Sequence, residues 1–414
     1  MAHDFDVIIA GGGPAGSVTA GFLRKRGRRV LVLERETFPR FHIGESLLHF
    51  SGEVWTELGV MEQLTERFLH KPGARFIHNE SGAHFTYPFS GAVRGDWSHA
   101  FQVPRAEFDE LLLRHAQSLG ADVREAHEVR DLDIHDAGVR VRVRDPHGAE
   151  SEHSAAAFVD ATGRDTFLGT RLRLKAADDL IDTNVACFTH FENTQREPGA
   201  EEGNITIILF DGGWWWFIPF RGTLTSVGCV LQRGFTIERR GMDADGLFAA
   251  ALAATPAAAE LLRGARRVRP IGTTGNWSYR CRQFYGDRFL LVGDAAAFID
   301  PLFSTGVHLA AFGARYAAQA LDEGISAGDL SAARLAAYQQ EVLRGAELFK
   351  GLVHEFYGES LRQLLVHSAE QPVLCSVITS YLAGDVYRPA VWHSLAQKGG
   401  FSQTVLHGQR TRLV

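Results

Sequence analysis

Cysteine is scarce, with four in 414 residues: Cys187, Cys229, Cys281 and Cys375. They lie far apart along the chain, which excludes a disulfide-stapled scaffold and offers no metal-ligand spacing. They read as small buried hydrophobes of a reducing compartment, and no metal site is expected. Positive charge is also short, with 43 Lys and Arg against 49 Asp and Glu and a net charge of −6. Without a basic surplus to neutralise phosphates, nucleic acid is a poor candidate partner. Long apolar runs are missing too. No uncharged stretch reaches the ~18 residues of a membrane helix, and the N-terminus lacks a basic segment followed by an apolar one. A cytoplasmic protein with no membrane partner is expected. No internal repeat, low-complexity tract or obvious linker interrupts the chain.

What is present is an ordinary globular composition, 45% hydrophobic and 22% charged, with length for two or three domains. Phe5 to Ala10 is a short Val/Ile-rich run followed by three glycines and Pro14. Ala15 to Lys25 has small and apolar residues at helical spacing and stops at Gly27. Val30 to Leu33 is a second buried-strand pattern, closed by Glu34. Strand, glycine turn, helix, strand is a βαβ unit and implies a parallel sheet. A helical pattern from Ser46 to Leu58 runs into Gly59, and another starts near Arg105 and stops at Gly120. Then the period drops to two: Val139, Val141 and Val143 alternate with Arg140, Arg142 and Arg144, as in a half-exposed antiparallel strand. Residues 184–231 hold aromatic and β-branched strands between glycine turns. Beyond Asp243 the pattern is Ala-rich and helical. Phe289 to Val292 is another buried strand, and from Gly306 onward helix dominates.

Gly11, Gly13 and Gly16 make G-x-G-x-x-G between the first strand and helix. Glycine there permits a tight turn and close approach to a pyrophosphate, which the free N–H groups of the helix start attract. Glu34 lies near the spacing of about 20 residues expected for a ribose-binding acid. The spacing suits NAD and FAD equally. Two more segments follow apolar strands: Asp160-Ala161-Thr162-Gly163 and Gly293-Asp294-Ala295. With these, and with Gln102-Val103-Pro104-Arg105, residues 5 to about 320 resemble the FAD monooxygenases built around the aromatic hydroxylases. The resemblance implies an α/β, FAD-binding Rossmann-like domain with an inserted antiparallel β substrate domain and C-terminal helices. The FAD domain is expected over 1–74, 101–183 and 271–325, the β-rich domain over 75–100 and 184–270, and the helical region over 326–414. Asp294 would place its carboxylate on the ribityl chain and also suits a helix N-cap.

Three further segments narrow the resemblance. Gly213-Trp214-Trp215-Trp216-Phe217-Ile218-Pro219 matches the W-x-W-x-I-P signature of flavin-dependent halogenases. On a strand, Trp214, Trp216 and Ile218 share one face and Trp215 and Phe217 the other. Aromatic strands are ordinarily core, yet several buried indoles each need a partner for the N–H. Pro39-Arg40-Phe41-His42-Ile43-Gly44-Glu45-Ser46-Leu47-Leu48 resembles the stretch that runs beside the flavin in the same group, with His49 where a proline is usual. Lys71-Pro72-Gly73-Ala74 stands where the halogenase lysine does, and an amine held in an apolar chamber has a lowered pKa.

Asp300-Pro301-Leu302-Phe303-Ser304-Thr305-Gly306-Val307-His308 resembles the segment against the flavin. Its backbone N–H groups at a helix start suit a halide, or serve only as a capped helix start. Tryptophan halogenases carry a glutamate where this chain has Phe303, so the resemblance is to the phenol and pyrrole type.

The family's roles would fall as follows. Lys71, Trp214 and Trp216 would be catalytic. Gly11, Gly13, Ala15, Gly16, Glu34, Arg35, Arg40, Ser46, Arg105, Asp294, Gly306 and Val307 would hold FAD, and Ser304, Thr305 and Gly306 the halide. The implied reaction uses FADH2 from a separate flavin reductase, O2, and chloride or bromide. It passes through a flavin hydroperoxide and hypohalous acid to a phenol or pyrrole, free or on an acyl or peptidyl carrier protein. The basic cluster Arg263, Arg266, Arg267 and Arg269 reads as a solvated charge run or as a docking face for an acidic carrier. Two rivals remain: an FAD hydroxylase using NAD(P)H directly, and a catalytically silent flavin-binding protein.

Overall fold

The computed structural model describes residues 3–92, 99–177, 184–275, 277–357, 365 and 372–388. Two large sheets organise them. The first is centred on the strand Phe5–Ala10, which lies parallel between Val30–Leu33 and Glu150–Asp160. Phe289–Leu291 continues the parallel order beyond Glu150–Asp160, and Asp122–Arg124 beyond Val30–Leu33. Parallel strands covered on both sides are buried throughout, and Val30–Leu33 is buried at every position. The helices Pro14–Lys25, Arg105–Ser118 and Thr305–Ala327 pack together against this sheet. An antiparallel hairpin, Glu128–His135 and Gly138–Arg144, pairs with the first half of the interior strand Glu150–Asp160. There Val139, Val141 and Val143 are fully buried while Arg140, Arg142 and Arg144 face water, as the period of two requires.

The second sheet is antiparallel for most of its width. Gly213–Pro219 lies between Ile205–Phe210 and Leu224–Leu231, the latter pairs with Val185–Glu192, and Gly73–His78 joins Ile205–Phe210 in parallel. Each face has its own core. Trp214, Trp216 and Ile218 belong to the large core shared with the first sheet. Trp215 and Phe217 belong to a smaller core on the other side, closed by Phe248 and Ala251 of the helix Ala244–Ala253. The alternation expected along this strand is what the structure shows.

Some expectations need correcting. The helix expected from Ser46 begins only at Gly52, after a single 3-10 turn at His49–Ser51. Ser46 forms a β-bridge with Gln102, and the Leu47 N–H donates to the Phe101 carbonyl at 2.9 Å. These strand-like bonds hold the backbone extended against its helical periodicity. Residues Gly272–Gly275 pair with Val185–Glu192, so the second sheet continues beyond residue 270. Cys187 and Cys229, far apart along the chain, are buried and unlinked as expected, although strand register brings them opposite each other; Cys375 is half-exposed. The expected C-terminal helices appear as Thr305–Ala327, Ala332–Tyr357 and Pro372–Ala383, and the remainder of that expectation lies outside the described residues. Among the described residues no helix is long and apolar enough to cross a membrane, and no group of His, Cys, Asp and Glu could hold a metal ion.

Candidate active site

The glycine turn is shaped by close approaches. At Gly11, φ is +102° and a Cβ would fall 2.2 Å from the Ala161 carbonyl oxygen. At Gly16 it would fall 1.9 Å from the Gly11 carbonyl oxygen. No side chain fits at either place, so the helix start stays open to a ligand. Glu34, 5% exposed, accepts from the Gly12 N–H at 2.7 Å and the Glu36 N–H at 2.8 Å. Its carboxylate is thereby held at the mouth of the turn. Arg40 lies over the Phe38 ring, its terminal nitrogen 3.3 Å from where a Cβ on Gly13 would be. Arg35 points outward and pairs with Asp165.

The other cofactor candidates converge on the same helix. A Cβ on Gly293 would meet Ala15 at 2.9 Å and Ala310 at 3.2 Å, so the Gly293-Asp294 turn is wedged between two helices. Burial pushes the Asp294 carboxyl up to about 6, opposed by the charges of Arg105 and Arg164. Arg105 grips Asp109 with two bonds, at 2.6 and 2.9 Å, and donates to the Ile43 carbonyl at 2.7 Å. It thereby fixes the 40–48 segment. Next to it Glu45, 2% exposed, meets His190 Nε2 at 2.9 Å across to the second sheet. Ser46 is buried with an unpartnered hydroxyl. The glycine turn, Glu34, Arg105 and Asp294 together fit an adenine dinucleotide with a polyol linker: an open helix start, a held carboxylate and a half-buried one.

Lys71 ends the strand Leu69–Lys71, paired with Ala100–Gln102, two residues before Gly73–His78 enters the second sheet. It is 2% exposed, donates to the Leu47 carbonyl at 3.0 Å, and lies over the Phe89 ring at 5.3 Å. Among the described residues no carboxylate pairs with it, and burial alone brings its pKa down to about 7. A lysine that is half neutral near neutrality can donate a hydrogen bond or act as a nucleophile.

Each indole of the tryptophan strand finds a partner. Trp216 Nε1 donates to Ser226 Oγ at 3.2 Å, Trp215 Nε1 to Thr255 Oγ1 at 3.1 Å, and Trp214 Nε1 to Tyr357 Oη at 3.1 Å. The Trp216 ring lies across Gly228, where a Cβ would come within 2.3 Å of it. Tyr357 in turn donates to Asp300 Oδ2 at 3.3 Å, so this strand connects to the turn before Thr305–Ala327. Nothing in the sequence announced Tyr357. Asp300 was visible within its motif, though without a role.

In that turn Ser304 adopts φ 57° and ψ 32°, followed by the helical Thr305. A left-handed residue followed by a right-handed one makes successive N–H groups converge into an anion nest. Thr305 and Val307 are buried, while Ser304 and Gly306 are half-exposed. Phe303, 5% exposed, packs edge-on to Phe356 at 6.0 Å. The arginine cluster has little free charge. Arg263, Arg266 and Arg267 pair with Glu260, Glu192 and Asp245, and Arg269 lies over the Phe41 ring at 3.9 Å.

Comparison with known proteins agrees with this geometry. A family model described as an FAD binding domain matches residues 4–349. The chain is 32% identical over 409 residues to the 1H-pyrrole-2-carbonyl-(peptidyl-carrier protein) chlorinase of Pseudomonas fluorescens, covering 93% of this chain and 90% of that protein. It is 33% identical over 364 residues to a tryptophan 2-halogenase of Chondromyces crocatus, covering 86% and 68%. A solved flavin-dependent brominase superposes with a TM-score of 0.85 at 28% identity, covering 95% of this chain and 96% of that one. On the FAD-binding match and on a halogenase relative that it spans nearly end to end, the chain belongs to the flavin-dependent halogenases.

Proposed function

We propose that the enzyme installs chlorine or bromine on an electron-rich aromatic ring, a phenol or a pyrrole, free or tethered to a carrier protein. Reduced FAD comes from a separate reductase. The observation that carries the reading is Lys71: a buried amine without a carboxylate partner among the described residues, with its pKa near 7, beside the tryptophan-bearing sheet.

Bound and reduced, FAD supplies with O2 the oxidising power that a halide ion needs. Gly11 and Gly16 keep the helix start open for the pyrophosphate, Glu34 takes the ribose, and Asp294 the polyol chain. The turn at Ser304 presents the N–H groups of Thr305 and Gly306, which hold the halide. The face carrying Trp214 and Trp216 bars an aromatic substrate from the cofactor side but lets a small oxidant through. Lys71 receives hypohalous acid, by a hydrogen bond or by attack of the neutral amine on halogen, and presents it to the ring. One ring C–H is replaced by C–halogen and its proton leaves. Overall ArH, halide, a proton, O2 and reduced FAD give the aryl halide, oxidised FAD and two waters.

The relatives act on both pyrrole and tryptophan, so the substrate class rests on this chain's own Phe303. An apolar ring there leaves no carboxylate to assist proton removal, which suits a ring reactive enough to need little help. The test combines enzyme, FAD, NADH, a flavin reductase and bromide with free phenols, free and carrier-loaded pyrroles, and tryptophan, read by mass spectrometry. Brominated phenol or pyrrole that requires the reductase is expected. Rapid NADH turnover without a reductase, or products that are hydroxylated rather than halogenated, would sink the proposal.

A further inference from the structure

We propose that Asp300 is a positioning residue that ties the tryptophan face to the halide-binding turn, with Tyr357 as the connecting link; this rests on the halogenase reading above. Asp300 is 1% exposed, and its two oxygens have separate tasks. Oδ1 accepts from the Leu302 N–H at 2.9 Å, inside the turn itself. Oδ2 accepts from Trp277 Nε1 at 3.2 Å and from Tyr357 Oη at 3.3 Å. The Tyr357 oxygen accepts in turn from Trp214 Nε1 at 3.1 Å. One carboxylate thus joins the tryptophan strand, the segment at Trp277, the end of the helix Ala332–Tyr357, and the turn before Thr305–Ala327.

A buried carboxylate is an expensive way to fill space, and here its partners among the described residues are neutral N–H or O–H donors. Burial accordingly pushes its pKa up to about 6. An apolar residue would pack at lower cost but could not direct three donors at once. The turn also needs an outside hold. Ser304 sits in the left-handed region without being glycine, a conformation that persists only when its surroundings enforce it. The bond from Leu302 to Asp300 and the bond from the Ser304 N–H to the Pro301 carbonyl, at 3.1 Å, enforce it from inside the turn. The same carboxylate fixes the Trp214 indole from the other side. The distance between the place where the halide is oxidised and the barrier its product must cross is therefore set by one side chain.

Two substitutions separate the links. Tyr357→Phe keeps the ring and removes only the hydroxyl between Trp214 and Asp300. Asp300→Asn still accepts from Leu302 but turns an N–H2 group towards the Trp277 N–H. In protein labelled with 15N-tryptophan, with indole resonances assigned through Trp214→Phe and Trp277→Phe, Asp300→Asn should move both the Trp214 and Trp277 signals. In a Tyr357→Phe background it should move only Trp277. In turnover with reductase, bromide, substrate and a soluble 1,3-dione trap, Tyr357→Phe should raise several-fold the share of oxidised bromide caught by the trap. A merely structural role would lower both products together and leave that share unchanged. A Trp214 signal that ignores Asp300→Asn, or responds equally without the tyrosine hydroxyl, overturns the link. An unchanged trapped share overturns its part in the reaction. Should Asp300→Asn fail to fold, Tyr357→Phe alone decides: a moved Trp214 signal with a larger trapped share is expected, and absence of either refutes the proposal. A wild type that brominates neither substrate nor trap would refute the halogenase reading, while the resonance test would still judge the link.

Discussion

Replacing Lys71 by Met separates the cost of that amine from its use. The ordinary amine pKa is 10.5, and burial brings it to about 7 in the folded protein. The gap corresponds to about 5 kcal/mol at most, since each pKa unit is about 1.4 kcal/mol. Below pH 7 both folded and unfolded chains carry the proton, and the folded state bears the whole cost of the buried ammonium. As pH rises from about 7 towards 10.5 the folded state sheds its proton and the unfolded chain keeps it. Wild-type stability should therefore climb by about 1.4 kcal/mol per pH unit. Methionine keeps most of the apolar stem, cannot be charged, and leaves the Leu47 carbonyl without its donor at 3.0 Å. That loss costs about 1–3 kcal/mol. Lys71→Met should then be more stable than wild type by about 2–4 kcal/mol near pH 6. By about pH 9 the advantage should shrink by about 3 kcal/mol and nearly vanish. Urea unfolding of cofactor-free protein at a series of pH values measures this directly. In turnover, halogenated product should fall by about 10²-fold or more while flavin reoxidation by O2 continues. A variant that is less stable near pH 6, or whose difference from wild type ignores pH, would refute the electrostatic argument. One that halogenates at near wild-type rate would refute the role.

Other substitutions probe the remaining parts. Gly16→Ala drives a Cβ to 1.9 Å from the Gly11 carbonyl oxygen; FAD titration should show binding lost, and normal affinity would contradict the assignment. Thr305→Val should raise the apparent KM for halide and leave O2 consumption unchanged; an unaltered KM would remove Thr305 from the halide site. Gly228→Ala must displace the Trp216 ring, where a Cβ would come within 2.3 Å. It should cost about 1–3 kcal/mol of stability and increase escape of oxidised halide to a soluble trap, which unchanged partitioning would disprove.

The parts of the fold read correctly from sequence are those fixed by neighbours in the chain. The strand Phe5–Ala10, the helix Pro14–Lys25 and the Val139–Val143 alternation are stated by periodicity alone. The faces of Trp214, Trp215 and Trp216 follow from the pleat. What escaped was set by distant partners. Ser46 stays extended because Gln102 pairs with it. Gly272–Gly275 joins the second sheet because Val185–Glu192 offers an open edge there. Cys187 meets Cys229 only through strand register. Motif resemblance pointed to Lys71 and the Ser304 turn, but its residues carried no sign of the path through Tyr357 and Asp300, which depends on where a late helix ends.

The two-cored sheet has a consequence for how such an enzyme can change. Along Gly213–Pro219, odd and even positions answer to different demands: one set packs into the core shared with the first sheet, on the side of the proposed site, and the other anchors the sheet to the Ala244–Ala253 helix. Substitutions can therefore accumulate on the anchoring set, limited by packing alone, without disturbing the face on the proposed site. Inserting or deleting a single residue is a different kind of event. It exchanges the two sets at once, so this strand has no gradual route between registers, and its length is as constrained as its tryptophans.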